Sequence, residues 1–112
     1  MLNSNGIVWQ QVPEEVSQTS NYLLPGRLVA GKVERNEFCR KLAAAGVPCT
    51  PFYPFPLYGN PLYRLAGSCR VTDCPMAEAY VNDAFWLPHR VLLSERETIQ
   101  EIAEIILKIL ED

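Results

Sequence analysis

The stretch that decides the fold runs from residue 85 to residue 110, FWLPHRVLLSERETIQEIAEIILKIL. It opens on an apolar segment, residues 85–91, which predicts a short extended piece broken by a proline. Ser94 and Glu97 then have the spacing of a capping box, which predicts the start of a helix. Six apolar residues follow at helical spacing and predict one buried face: Ile99, Ile102, Ala103, Ile106, Ile109 and Leu110. The chain therefore ends with a strand and an amphipathic helix.

A second helix is predicted upstream, over residues 33–45. Phe38, Leu42 and Ala45 stand at i, i+4 and i+7 and form its apolar stripe. Gly46 comes next, and a glycine there can take the left-handed conformation that ends many helices.

Strand-like segments precede that helix. Residues 1–20 are predicted to be a partly disordered lead, and residues 6–12 within it have the composition of a strand. Residues 22–24 and 27–29 also have a strand composition, interrupted by Pro25-Gly26. Because proline cannot donate a hydrogen bond to a neighbouring strand, we expect this strand to lie at a sheet edge, or to be bulged or broken there.

Three further pieces complete the order of elements. Residues 47–53 are predicted to be extended and residues 61–66 to form one helical turn. A helix is predicted to begin at Asp73 or Cys74, with Pro75 as its first helical residue, and to run to about Asp83. This order predicts an α+β fold, with a small sheet of about three to four strands and helices packed on one face. We assign residues 21–112 to this domain.

The composition favours an ordinary globular domain. The 112 residues are 48% hydrophobic and 21% charged, and the net charge of −3 argues against a nucleic-acid partner. The longest apolar run, residues 105–107, is too short to span a membrane, and the first residues lack the features of a signal peptide. We therefore expect a cytoplasmic protein with no membrane partner.

The residues needed for a self-sufficient catalytic site are not found in the sequence. Four cysteines occur, Cys39, Cys49, Cys69 and Cys74, without a Cys-x-x-Cys pair, which predicts reduced thiols rather than a zinc site. There is no glycine-rich phosphate loop, and no lysine has the apolar setting that a Schiff base needs. We predict no catalytic, cofactor-binding or metal-binding residue in these 112 residues.

Two places have the character of a binding surface. The segment Pro51–Tyr63 combines prolines with aromatic residues, and its Tyr53 and Tyr58 offer hydroxyl groups on a stiff scaffold. His89 and Arg90 could together reach a carboxylate or a phosphate. The alternatives are that the aromatic residues of the loop only cover the core, and that His89 is a strand-end histidine bonded to backbone.

The stretch from Asn21 to Ile109 resembles the C-terminal region of the DegT/DnrJ/EryC1/StrS aminotransferases. The resemblance lies in the order of a helix with a Gly-Val turn, a loop rich in proline and tyrosine, a Cys-Pro helix start, a Leu-Pro strand and a closing helix. These elements are Phe38–Val47, Pro51–Tyr63, Cys74–Glu78, Trp86–Leu93 and Ser94–Leu110. The segment Trp86–Leu93 is most similar to the branch of 3-amino-5-hydroxybenzoate synthases and inosose aminotransferases.

This resemblance implies a role as the small domain of a fold-type I aminotransferase that uses pyridoxal phosphate (PLP). The parent enzyme would be a homodimer whose large domain holds PLP, and would act on a sugar, a cyclitol or an aminobenzoate precursor with glutamate or glutamine as amino donor. The small domain would contribute Tyr53, Tyr58, His89 and Arg90 to the substrate pocket. Many sugar aminotransferases have a histidine where this chain has Tyr58, which favours the cyclitol or aminobenzoate branch.

The same resemblance implies that the 112 residues alone are an inactive fragment. We expect such a fragment to self-associate through the surface that would face its large domain. The alternative is a free-standing, non-catalytic binding or interaction module.

Overall fold

Four strands and five helices make up the regular structure of residues 6–29, 32–67 and 70–112, which are the residues that the computed structural model describes. In chain order they are β1 Ile7–Trp9, β2 Leu23–Leu28, α1 Arg35–Ala44, β3 Thr50–Pro51, α2 Pro61–Ala66, α3 Pro75–Asp83, β4 Ala84–Pro88, α4 His89–Leu92 and α5 Arg96–Glu111. A single 3₁₀ turn, Leu57–Gly59, lies inside the proline-rich segment.

The strands form one antiparallel sheet in the order β1-β2-β4-β3. At its centre, Leu24 of β2 lies opposite Leu87 of β4, and Gly26 lies opposite Phe85. The predicted α+β class with a small sheet is therefore confirmed, and the sheet has four strands.

β2 is an interior strand, so the predicted edge position or break at Pro25-Gly26 is wrong. The N–H of Gln10 donates to the carbonyl of Pro25 at 3.1 Å, which shows that the backbone of Pro25 faces the β1 side. A residue in an antiparallel strand points its N–H and its carbonyl to the same neighbour. β1 has already ended at Trp9. The N–H that Pro25 lacks would therefore have faced a position beyond the end of β1, so no hydrogen bond between β1 and β2 is lost and β2 continues unbroken.

Gly26 allows β2 to lie close to its neighbours. A Cβ atom at this position would stand 2.9 Å from Cζ of Phe85 and 3.1 Å from side-chain atoms of both Ile7 and Trp9. Only a glycine leaves room for these three core side chains to meet over the strand.

The core lies between one face of the sheet and helices α1 and α5. Residues from the strands that point to this side are buried together with residues of both helices: Ile7, Trp9, Leu28, Phe38, Leu42, Phe85, Leu87, Ile106, Ile109 and Leu110. The rings of Phe38 in α1 and Phe85 in β4 have centroids 4.9 Å apart. The apolar stripes predicted for the two helices are confirmed at Leu42 and Ile106, which are buried, but the predicted end members Ala45 and Ile99 are exposed.

The end of α1 has the predicted glycine cap. Gly46 has a φ of +80°, its N–H donates to Ala43, and the N–H of Val47 donates to Leu42 at 2.9 Å. These two bonds are those of a Schellman motif, and the buried Val47 belongs to the same core cluster as Leu42. The predicted starts of α2 at Pro61 and α3 at Pro75 are also confirmed.

Two predictions around residue 90 are wrong. The extended segment ends at Pro88, and the next residues form the one-turn helix α4. α5 begins at Arg96 with Glu95 as N-cap and no side-chain cap, so Ser94 and Glu97 do not form a capping box. Instead, the hydroxyl of Ser94 donates to the carbonyl of Arg90 at 3.3 Å. The sequence did not predict α4. Because the hydroxyl of Ser94 bonds to a carbonyl of this helix, it does not cap α5.

The chain exposes more surface than its size requires. Its accessible area is 8212 Å², whereas a compact monomer of this mass exposes about 6,200 Å². Its radius of gyration is 16.0 Å, against about 13 Å for a compact domain of this length.

Candidate functional site

The face of the sheet opposite α1 and α5, here called the outer face, has its own set of side chains. Because side chains alternate along a strand, Val8, Arg27 and Trp86 point away from the core that Ile7 and Phe85 enter. Val8 is 54% exposed, and Arg27 and Trp86 are half-buried. The outer face therefore combines apolar side chains with one cation, and α3 covers only the part of it beside Arg27.

A groove of about 540 Å³ lies on this face, and we call it the aromatic groove. Its volume falls within the range of small-molecule sites. Its walls combine aromatic side chains with residues of β1 and β2: Val8, Trp9, Gln10, Gln11, Leu23, Pro25, Arg27, Phe52, Tyr53, Tyr80 and Trp86.

Four aromatic rings in the groove contact one another. The ring centroid of Phe52 lies 4.9 Å from that of Tyr80 and 5.2 Å from that of Trp86, both edge to face. The ring of Tyr53 lies 5.7 Å from that of Trp86. These contacts fasten the start of the proline-rich loop and one side of α3 to β4, so the groove has preformed walls.

Arg27 places a positive charge beside the aromatic cluster. Its guanidinium carbon lies 5.7 Å from the ring centroid of Tyr80, and Nη2 lies 3.3 Å from Oδ2 of Asp83. About a third of each side chain in this ion pair is exposed, so the pair contributes little to stability. Its effect is to orient the guanidinium toward the end of α3.

Tyr58 lies in a second cavity, of about 410 Å³, which the loop and α3 form together. Its hydroxyl donates to Oε1 of Glu78 at 2.8 Å. Loss of surrounding water, together with this hydrogen bond and the negative charge of Glu78, raises the pKa of Tyr58 to about 12. Tyr58 is therefore a neutral hydrogen-bonding group at physiological pH. Arg64 lines the same cavity.

The structure does not bring the four predicted site residues together. Tyr53 lines the aromatic groove and Tyr58 lines the second cavity. His89 is exposed at the start of α4, where its ring stacks on that of Tyr22 with centroids 5.9 Å apart. Arg90 lines a separate surface depression beside Cys49.

Sequence reasoning missed Trp86, Tyr80 and Arg27 as residues of the groove. Trp86 was detectable, since it lies between Phe85 and Leu87 and an alternating strand must turn it away from the core. Arg27 alternates with the buried Leu28 in the same way, but the expected break at Pro25-Gly26 hid that signal. Tyr80 carries no such local signal, because its position follows from the packing of α3 on β2.

The fold and the sequence both match known aminotransferases. The model of the DegT/DnrJ/EryC1/StrS aminotransferase family matches residues 1–107. The chain belongs to this family. Among solved structures, the 3-amino-5-hydroxybenzoic acid (AHBA) synthase is similar over 98% of the chain, with a TM-score of 0.86 and 25% sequence identity. A search of curated protein sequences gives no match.

The family assignment comes with a clear difference in length. The chain covers 30% of the AHBA synthase structure to which it is similar. Neither the aromatic groove nor the second cavity is lined by a lysine that could hold the aldehyde of PLP. In the described part of the chain, no cluster of three or more His, Cys, Asp or Glu side chains could hold a metal ion. No helix among those residues is long and apolar enough to cross a membrane.

Proposed function

We propose that this chain is the small domain of a PLP-dependent aminotransferase, and that its outer face closes the substrate pocket against a large domain that holds PLP. The observation that carries this proposal is the aromatic groove: a preformed apolar surface, left open on a chain that matches 30% of an aminotransferase structure. The accessible area of the chain exceeds that of a compact monomer of its mass by about 2,000 Å², which is in line with a domain that packs against a larger one.

The substrate would be a flat or ring-shaped keto compound: a sugar, a cyclitol or an aminobenzoate precursor. Tyr53 and Trp86 offer ring faces and edges on which such a compound can pack. Arg27 and Arg64 supply positive charge in the two cavities, which suits a substrate with a carboxylate. Among these, the similarity to AHBA synthase favours an aminobenzoate precursor.

Within this proposal the roles of the predicted residues differ. Tyr53 contacts the substrate ring at the mouth of the groove. Tyr58, held by Glu78, donates or accepts a hydrogen bond as a neutral group. His89 and Arg90 lie outside both cavities. We propose that these two residues bind a substrate carboxylate or phosphate in the homodimeric parent, where the rest of the enzyme completes the binding surface around them.

The experiment is to express the whole reading frame in which residues 1–112 are encoded, and to assay amino transfer from glutamate or glutamine. We expect a protein with the absorbance of a lysine-bound PLP aldimine, and activity that is lost when residues 1–112 are deleted. A reading frame that encodes only these residues, in a protein that captures a partner without PLP, would support a free-standing interaction module instead.

A further inference from the structure

Two thiols lie in contact at the base of the proline-rich loop. The sulfur atoms of Cys39 and Cys49 are 3.3 Å apart, although the two residues are ten positions apart in the chain. Cys39 lies on α1 and is buried in the core, and Cys49 is half-buried just before β3. The Schellman turn at Gly46 reverses the chain between them and so brings the second cysteine back onto the helix.

The contact makes one of the two thiols easier to ionise. The S–H of Cys49 donates to the sulfur of Cys39, which lowers the pKa of Cys39. The pKa of Cys49 is raised, because its thiolate would lose this hydrogen bond and would lie beside another sulfur in a partly buried place. The pair therefore shares one proton once the first has been lost.

Small molecules can reach this pair from the surface. Cys49 lines a depression of about 470 Å³, together with Thr50, Pro88 and Arg90. The guanidinium of Arg90 at this depression gives the surroundings of Cys49 a positive charge. Peroxide can therefore reach the sulfur of Cys49, and the adjacent Cys39 is the thiol that ionises more easily.

We propose that Cys39 and Cys49 are a redox modification site that a peroxide oxidises to an intramolecular disulfide. In the first step, the thiolate of Cys39 takes the proton of the Cys49 S–H, the sulfur of Cys49 attacks hydrogen peroxide, and the O–O bond breaks to leave a sulfenic acid at Cys49 and a hydroxide ion. The hydroxide takes the proton back from Cys39 and becomes water. In the second step, the thiolate of Cys39 attacks the sulfur of Cys49, the S–O bond breaks, and the departing hydroxide takes up the proton that Cys39 first released to solvent. The two thiols are oxidised by two electrons, and one peroxide is reduced to two water molecules.

The geometry requires only a small movement. A disulfide needs the two sulfurs about 2.05 Å apart, so they must approach by about 1.2 Å, which rotation of the two side chains can supply. The bond would tie α1 to the residues just before β3 and would hold the base of the segment Pro51–Tyr63. This site does not depend on the aminotransferase proposal, because both cysteines and the depression belong to this chain.

The test treats the folded chain with hydrogen peroxide, blocks the remaining thiols by alkylation, and maps the products by peptide mass spectrometry. We expect the loss of two hydrogen atoms and a cross-linked peptide that contains Cys39 and Cys49. The Cys74→Ser variant should form the same link, and the Cys49→Ser variant should not. A link that joins Cys39 or Cys49 to any other cysteine, or a sulfinic acid at Cys49 without a link, would overturn the proposal.

The chain unfolded in urea provides the matched control. Cys69 and Cys74 are five positions apart, so an unfolded chain should close that shorter loop more readily than the loop from Cys39 to Cys49. We therefore expect the link between Cys39 and Cys49 to be the main product in the folded chain, and the link between Cys69 and Cys74 to be the main product in urea. The same mixture of links in the folded and unfolded chain would contradict a site created by the fold.

Discussion

Tyr58 shows how one side chain couples the proline-rich loop to α3. Its hydroxyl donates to Glu78, and the surroundings favour the neutral phenol over the phenolate. A histidine in this place would change its charge near neutral pH, whereas the tyrosine keeps its proton far above it. The loop is therefore held by an interaction that is constant over the physiological pH range.

This arrangement predicts a titration. The folded pKa of Tyr58, about 12, lies above the ordinary value of 10.0. The folded chain thus binds this proton more tightly than the unfolded chain does. The stabilisation is complete below pH 10 and is lost as the pH rises toward 12. In an NMR titration with labelled tyrosine, Tyr58 should lose its proton well above the ordinary value of 10.0, and Glu78→Gln should lower its pKa. A titration midpoint of Tyr58 at that ordinary value would contradict the contact.

The residues of the candidate site were partly predictable from sequence. Tyr53 and Tyr58, which line the two cavities, could be predicted as surface groups because prolines exclude regular structure and leave aromatic side chains on a stiff loop. Trp86, Tyr80 and Arg27 were missed because the groove exists only once α3 packs beside β2 and the strands fall into register. The roles of His89 and Arg90 remain a prediction.

The helix ends show which signals are local. Gly46 and Pro75 were interpreted correctly because each acts within its own turn. A left-handed glycine lets the last carbonyls of a helix find hydrogen-bond donors. A proline at the first helical position lacks an N–H that would have no partner in the helix. The interior position of β2 was not predictable, since Pro25 is tolerated only because β1 stops one residue earlier. The start of α5 depends in the same way on the turn α4.

The two accounts of Ser94 differ in a measurable quantity. If Ser94 capped α5, Ser94→Ala would cost about 1 kcal/mol in the free energy of unfolding. The structure gives its hydroxyl only an exposed bond to Arg90, so we expect a change within about 0.5 kcal/mol. Urea denaturation measures the difference. Ile106→Ala, at a buried position of the same helix, should cost about 2–5 kcal/mol and shows that the assay is sensitive to α5.

At the scale of the whole molecule, the uncovered outer face predicts self-association. Large apolar patches on an isolated chain tend to meet one another. Sedimentation velocity should show a mass that rises above 12.7 kDa with concentration. Val8→Glu, on the outer face, should restore the monomer. Lys108→Glu, on α5, is the matched control and should have no effect. A wild-type chain that stays monomeric at every concentration would count against a surface made to be covered.

The central claim is that the outer face, and not the helical side, meets a PLP-binding large domain. Backbone amide resonances report on the two sides separately: Trp86 lies in the aromatic groove, and Ile106 lies on α5 at the helical side. We would label the backbone amides for NMR and add the large domain of AHBA synthase, prepared without its own small domain. The spectrum should then show a shift of the Trp86 amide resonance with that of Ile106 unchanged. A complex that leaves Trp86 unchanged, or no complex at saturating concentration, would contradict the claim.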